Sequence, residues 1–526
     1  MQNKKKFLGI LFLTILTSAQ YPGFGQSHHP EKPNVVIILA DDMGYSDVAA
    51  LNKKARTLTP NIDLLVKSGI TFTDAHSGGA VCTPSRYGIL TGRYYFRVPK
   101  QREYLGYLQP LIEPERETIG TLMQKAGYAT AAIGKWHLGV SWGLKDPLLP
   151  QIPDAGRRGY TNTDFRKEVS RGPNALGFNY SFILPASLDM PPYTFIKNSQ
   201  VVDPEIILTA DAYPHKLDTT NPVWDKKYTN SDDIYWERGI WWRNGEMSRS
   251  FKMENCLDTI VNQGMSFISS QVKNKPDQPF LLYLPLTGPH TPWLVNESFK
   301  GKTALGSYGD FVLQVDNVVN RVTTLLKALN ISDNTIIIFA SDNGAPWTED
   351  DIQVYNHESN AGRRGQKGDI YDGGHHIPLV IKWPAKIKKA FNYTSTVSLV
   401  DLMATFAEMT GQRIKKSFGE DSFSFYKVIA GTASSTTSRK DILYESSRGM
   451  LAIKAGDWKF IDGLGSGGFT EPSELKPVKD GPIGQLYNLK MDPMESKNLY
   501  NQYPEKVRQL KTQLTRYVKQ GYSQIR

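Results

Sequence analysis

Hydrophobic positions along this chain come in two rhythms. Four short runs are apolar almost without interruption: NVVIILA (34–40), ATAAIG (129–134), PFLLYLPL (279–286) and NTIIIFA (334–340). Runs of that length and uniformity predict strands covered on both faces, because a half-exposed strand would alternate. Between the runs, apolar residues recur at three- and four-residue steps. TPNIDLLVKSG offers Thr59 as a cap and Pro60 at the first helical position. ETIGTLMQKAG stops at Gly127. YGDFVLQVDNVVNRVTTLLKALN lines up Phe311, Val315, Val318, Val322, Leu325 and Leu329 on one helical face. Alternating strands and helices predict an α/β fold, a large, mostly parallel sheet sandwiched by helices.

The pattern weakens twice. From about 140 to 250 the chain is loop-rich and aromatic, which reads as an insertion over one edge of the sheet. After HHIPLVIKWP the character changes: DILYESSRGMLAIKAGDWKFI reads as strands and turns, and YPEKVRQLKTQLTRYVKQ as a final helix. These features predict a catalytic α/β domain over 27–389 and a smaller α+β domain over 390–526. The opening MQNKKKFLGILFLTILTSAQ has a lysine-rich start, an apolar run and small residues at Ser18 and Ala19, the layout of a secretory signal peptide over about 1–26. That run is too short for a comfortable membrane span and no later run is longer. The expectation is an exported protein, periplasmic or secreted, with no membrane span. No cysteine stands at the expected cleavage site, which argues against a lipid anchor.

Charge and cysteine usage narrow the picture only a little. Over 526 residues, Lys and Arg total 62 against 52 Asp and Glu, a formal net charge of +10. An anionic partner is favoured, but the excess does not choose among nucleic acid, lipid and sulfated sugar. With no basic tract in the mature region, no nucleic-acid partner is expected. The two cysteines, Cys82 and Cys256, could pair in an exported protein. Cys256 lies in the amphipathic MENCLDTIVNQGMSFI and reads as a small buried apolar residue.

In an open α/β sheet, ligands bind beyond the carboxyl ends of the strands. The four predicted strands are followed by Asp41 and Asp42, by Lys135 and His137, by His290, and by Asp342 and Asn343. Each alone is as well explained by a cap, a turn or a structural histidine; four strand ends carrying polar groups suited to one site are not. Three carboxylates and an amide oxygen suit a hard cation, Ca²⁺ or Mg²⁺. Lysine and histidine suit anion binding and proton transfer.

VCTPSRYGILTGR (81–93) adds a possible nucleophile. Pro84 fits the first turn of a helix whose positive end would face Cys82, so a plain thiol there is expected to have a lowered pKa. A soft thiolate is nonetheless out of place beside a hard-oxygen cluster, where an oxygen nucleophile belongs.

At this point the chain resembles a known family. CTPSR followed by LTGR is similar to the type I sulfatase signature, and LADDMGYSD, GKWHLG, GPHTP, SDNG and GQKGDIYDGGHHIP follow in that family's order across roughly 33–385. The resemblance implies an alkaline-phosphatase-like fold. It also implies that Cys82 is oxidised during export to Cα-formylglycine by a formylglycine-generating or anaerobic sulfatase-maturating enzyme. The aldehyde hydrates to a geminal diol, one hydroxyl attacks sulfur, and the second permits C–O cleavage and release of sulfate. By the same resemblance, Asp41, Asp42, Asp342 and Asn343 bind Ca²⁺ together with modified Cys82, and Arg86 holds the diol. Lys135 and Lys367 grip the sulfate, His290 protonates the leaving sugar and His137 takes the proton from the second hydroxyl. One departure stands at His376, where the family usually has arginine.

The resemblance points to exported bacterial sulfatases of the arylsulfatase or N-acetylgalactosamine-sulfatase type, acting on galactose- or N-acetylgalactosamine-type sulfates from glycosaminoglycan, mucin or algal galactan. Arg171, Asp189 and Tyr193 of SLDMPPY, Arg363 and Arg364 are candidate sugar contacts, each equally explained by a loop salt bridge. Trp241 and Trp242 could stack on a sugar, although buried packing explains them better. Two alternatives remain: a phosphomonoester or phosphodiester hydrolase of the same superfamily, and a non-catalytic sulfated-sugar-binding protein.

Overall fold

The computed structural model describes residues 32–99, 105–152, 159–213, 234–237, 239–432 and 439–524; the N-terminal leader expected over 1–26 lies outside them. Ten strands form the main sheet: β1 (Asn34–Ala40), β2 (Ile70–Phe72), β3 (Ala129–Lys135), β4 (Tyr180–Leu184), β5 (Ile196–Lys197), β6 (Gln200–Val201), β7 (Phe280–Pro285), β8 (Thr335–Ser341), β9 (Leu379–Lys382) and β10 (Phe391–Tyr393). Their spatial order is β10-β2-β9-β8-β1-β7-β3-β4-β5-β6. The five central strands, β8-β1-β7-β3-β4, run parallel, with antiparallel pairing of β9 on β8 and β5 on β4 outside them.

The uninterrupted apolar runs are explained by two cores. Val35, Ile37 and Leu39 point into one core, with helices α2 (Cys82–Thr91), α3 (Ile119–Lys125) and α6 (Leu402–Thr410) above them. Val36, Ile38 and Ala40 point into the other, against α1 (Pro60–Val66), α4 (Cys256–Asn274) and α5 (Gly306–Ala328). With successive side chains alternating between faces and both faces covered, every position must be apolar. On α5, Phe311, Val315, Val318 and Val322 are buried as expected, while Leu326 takes the fully buried place predicted for Leu325.

Residues 140–250 do more than cover an edge, because β4, β5 and β6 extend the sheet. Their signal is weak because they are short and interrupted by polar residues such as Ser181. The change of character near 390 also precedes the second sheet: β10 pairs with β2 and α6 enters the first core. A separate four-stranded antiparallel sheet follows: β11 (Asp441–Glu445), β12 (Leu451–Ala455), β13 (Trp458–Ile461) and β14 (Gln485–Asn488). Val507, Leu510 and Leu514 of the closing helix α7 (Pro504–Gln520) pack on its Leu443, Ile453 and Phe460. Among the described residues no helix is long and apolar enough to cross a membrane.

Candidate active site

The four strand ends do meet. Asp41 and Asp42 follow β1, Lys135 is the last residue of β3, the loop after β7 carries His290, and Asp342 and Asn343 follow β8. Backbone bonds lock these ends together, Asp41 N donating to Gly288 O at 3.0 Å and Asp342 N to Ala40 O at 3.0 Å. Close approach requires glycine at two points. A Cβ on Gly134, φ +133°, would lie 1.9 Å from Pro285 O, and one on Gly344 would lie 1.9 Å from Gly373 O. Asp42 and His137 both adopt positive φ, 66° and 55°, conformations that the surrounding bonds must impose.

Cys82 opens α2, with Pro84 in its first turn, and its Sγ lies 3.2 Å from Asp41 Oδ1. Lys135 Nζ donates to that sulfur at 3.3 Å and to Asp41 Oδ2 at 2.6 Å. Lys367 Nζ reaches Asp42 Oδ2 at 2.7 Å. Arg86 is fully buried and spends its donors on Asp342 Oδ2, at 3.0 and 2.7 Å, and on Lys135 O at 2.8 Å. It thus braces the carboxylate frame around residue 82. His290 Nδ1 is 2.6 Å from Thr291 O, so Nδ1 carries the hydrogen and Nε2 faces Asp42 Oδ2 at 3.6 Å. His137 hangs on α2 through its carbonyl, which accepts from Thr83 Oγ1 at 3.1 Å.

The electrostatics overturn one expectation. The Cys82 thiol is pushed well above its ordinary range, first by burial and then by Asp342 and Asp41. Burial and two carboxylates together outweigh the lysines and the helix start. Burial beside Lys135 and Arg86 likewise holds the His137 imidazole well below the histidine range. Cys82 and Cys256 are both free and buried.

The oxygen donors fit a hard divalent cation. Asp41, Asp42, Asp342 and Asn343 are all at most 1% exposed, and Asn343 Oδ1 is buried with no protein donor while its Nδ2 is committed to Asp42 at 2.6 Å. Three carboxylates face three cationic side chains, Arg86, Lys135 and Lys367, so a divalent ion would leave the pocket positive enough for a monoanionic ester. Formylglycine fits for a related reason: a high-pKa thiol is a poor nucleophile, and the groups around residue 82 are suited to oxygen.

The proposed sugar contacts divide. Asp189 lies beside the site, its Oδ1 3.9 Å from His290 Nδ1 and without a hydrogen-bond donor, its Oδ2 paired with Arg243 at 2.5 Å. Tyr193 is buried one step back, donating to Arg243 O at 2.7 Å. Arg243 lies over the Trp241 ring, while Trp242 is packed in the core. Arg171 is exposed, and the contacts of the cluster do not include it. Arg363 pairs with Asp372 at 2.8 Å, and Arg364 ties to Glu495 O at 2.7 Å over the Tyr371 ring. Sequence reasoning passed over Arg243, next to the tryptophans of WWRNG, and Ser187, whose Oγ is 3.4 Å from His290 Nδ1. Their only signal was proximity to residues already singled out.

The family model for sulfatases matches residues 33–412. The chain belongs to the sulfatase family. It is 32% identical to an N-acetylgalactosamine-6-O-sulfatase of Bacteroides thetaiotaomicron, over 97% of this chain and 98% of that one. It is 27% identical to human arylsulfatase A, over 94% and 90%. A solved structure described as a 6S-sulfatase, from work on metabolism of multiple glycosaminoglycans by B. thetaiotaomicron, superposes with a TM-score of 0.74 at 30% identity, covering 93% of this chain and 99% of that one. This sulfatase is a sulfuric ester hydrolase.

Proposed function

We propose that this sulfatase removes sulfate from a carbohydrate of galactose or N-acetylgalactosamine type after export, using formylglycine at position 82 and Ca²⁺. One observation carries the reading: Cys82, Lys135, Lys367 and three carboxylates converge in a buried cluster beside an unpartnered Asn343 oxygen. The names of the relatives support the sugar and favour the 6-O position. The lysine-rich, apolar start of the chain supports export.

Residues Asp41, Asp42, Asp342 and Asn343 would hold the ion. When bound, the ion stabilises negative charge on the sulfate, and the hydrated formylglycine supplies the hydroxyl nucleophile. Lys135 and Lys367 bind the sulfate oxygens, and Arg86 holds Asp342 and Asp41 in register. His290, with Nδ1 fixed on Thr291 O, presents Nε2 as proton donor to the sugar oxygen. His137 takes the proton from the second hydroxyl of residue 82. Since Cys82 is 4% exposed, the maturating enzyme must meet this segment before the fold closes over it.

The test is sulfate release from 6-O-sulfated N-acetylgalactosamine, compared with the 4-O-sulfated isomer and with nitrophenyl phosphate. Turnover confined to sulfate esters, with the 6-O isomer preferred, supports the proposal. Preference for phosphate refutes the reaction, and preference for the 4-O isomer refutes the position.

A further inference from the structure

A second buried ionisable cluster lies away from the strand ends, between the main sheet and the C-terminal sheet. Ligand-type atoms of His76, Asp372 and His375 lie within 4.8 Å of one another. The positive charge among them is supplied by the chain itself. Lys459 of β13 is fully buried, 3.3 Å from His375 Nε2, 3.3 Å from Asp372 Oδ1 and 2.9 Å from Glu495 Oε1. His375 Nδ1 faces His76 Nδ1 at 3.1 Å, and His76 Nε2 faces Asp74 Oδ1 at 2.8 Å. Lys454 of β12 closes the far end on Asp74 at 2.8 and 2.7 Å.

The charged ends dictate the protons. Asp74 requires a hydrogen on His76 Nε2, and the Lys459 ammonium requires a lone pair on His375 Nε2. The one hydrogen of neutral His76 is thereby placed on Nε2, and that of His375 is left on Nδ1, from which it is donated to the His76 Nδ1 lone pair. The chain of bonds runs one way, from Lys459 through His375 and His76 to Asp74. One more proton sets N–H against N–H at 3.1 Å, or N–H against ammonium at 3.3 Å. The Ile370 carbonyl, 3.2 Å from His375 Nε2, is the acceptor to which a second proton would turn.

The same segments carry the catalytic loops. Ser77 N donates to His375 O, Ala80 N to Glu445 O of β11, Gly368 N to Ala80 O and Gly344 N to Gly374 O, all at 2.8–3.0 Å. Ala80 is two residues before Cys82, Gly368 follows Lys367 and Gly344 follows Asn343. We infer that His76 and His375, with Lys459 of the C-terminal sheet, form a positioning relay that holds the Cys82 and Lys367 loops in register and releases them when the pair takes one more proton.

The groups facing the pair are Asp74, Asp372, His376, Arg363 and Tyr45 from the main domain, and Lys454, Lys459, Tyr444 and Glu495 from the C-terminal part. Tyr444 stacks on His375 at 3.9 Å, and His376, the departure noted in the sequence, bonds Thr73 O at 3.1 Å and lies against Tyr45. Burial holds His76 and His375 below the ordinary value of 6.5. Groups held neutral by the fold contribute stability that is fully present above that unfolded value and is lost as pH falls from it through their lower folded values.

Glutamine at 375 offers a donor and an acceptor without taking a proton; leucine offers neither. The test compares His375→Gln, His375→Leu and Lys459→Met with wild type, using nitrophenyl sulfate between pH 5 and 8. A misplaced catalytic group can cost roughly 10²-fold. The expected loss in kcat/KM is therefore about 10- to 100-fold for the Leu and Met variants at neutral pH, with His375→Gln far less affected. His375→Gln should also hold its activity to lower pH than wild type. Equal rates and superimposable pH profiles for Gln and Leu would overturn the relay. The relay rests on the sulfatase activity for its kinetic arm only. Hydrogen exchange on the wild-type protein tests it without turnover or variants. At pH 5.5 the amides of Ser77, Ala80, Gly368 and His376 should lose protection before those of β1. Loss together with β1, or no loss, rejects the proposal.

Discussion

Replacing His290 with alanine separates proton transfer from binding. The structure gives the imidazole one orientation, with Nδ1 on Thr291 O at 2.6 Å and Nε2 directed at the pocket beside Asp42. A sugar alkoxide is a poor leaving group and needs that proton; a nitrophenolate departs without it. General acid assistance is typically worth about 10²–10⁴-fold, or about 2.7–5.4 kcal/mol at 1.36 per decade. His290→Ala should therefore lower kcat/KM on a 6-O-sulfated sugar by that factor and on nitrophenyl sulfate by less than about tenfold. The imidazole also lies 3.6 Å from Asp42 and 3.9 Å from Asp189, so its removal alters the field around both carboxylates equally for the two substrates. That common loss cancels in the ratio of the two kcat/KM values. Sulfate release is followed by ion chromatography and nitrophenol by absorbance. Equal losses on both substrates would show that His290 is not the acid. His137→Ala serves as the contrast: its proposed role follows departure of the sugar, so it should lower kcat to the same level on both substrates and leave kcat/KM little changed.

Intact mass of the tryptic peptide bearing Cys82 should show formylglycine in active protein; a free thiol in fully active material would refute the assignment. Chelation should abolish turnover and lower the melting temperature, because a bound ion stabilises only the folded state; metal analysis showing no ion in active enzyme is the adverse result. Lys367→Ala, which removes the ammonium now 2.7 Å from Asp42, should cost about 10²–10³-fold in kcat/KM with little change in secondary structure by circular dichroism. Arg439, 7% exposed and bonded to Asp401, Asp421 O and Asp441 O, tests stability instead: Arg439→Met should cost about 3–5 kcal/mol in chemical denaturation, since it strands a buried carboxylate.

Much of the architecture follows from the linear pattern. Apolar runs such as NVVIILA are best buried on both faces as covered parallel strands, so β1, β3, β7 and β8 and the helices between them were legible in the chain itself. The residues just past those strands could be placed at one edge, because parallel strands share a direction and so deliver their carboxyl ends together. Motif order named the family on the same grounds, local strings in sequence.

Pairings between distant segments were decided only by the fold. Lys367 reaches Asp42 across 325 positions, and His375 reaches His76 across 299. Hydropathy records how far a residue is buried, not which strand becomes its neighbour. Arg364 and Asp189 illustrate the consequence. In sequence both were polar residues equally suited to a sugar or a salt bridge. The order of the strands set Asp189 beside His290 and Arg243, and docking of the C-terminal sheet turned Arg364 onto Tyr371 and Glu495. The Cys82 thiol was misjudged for the same reason. A helix start is local and readable, but the burial that chiefly raises its pKa, and the two carboxylates from β1 and β8 that add to it, exist only once those strands lie side by side.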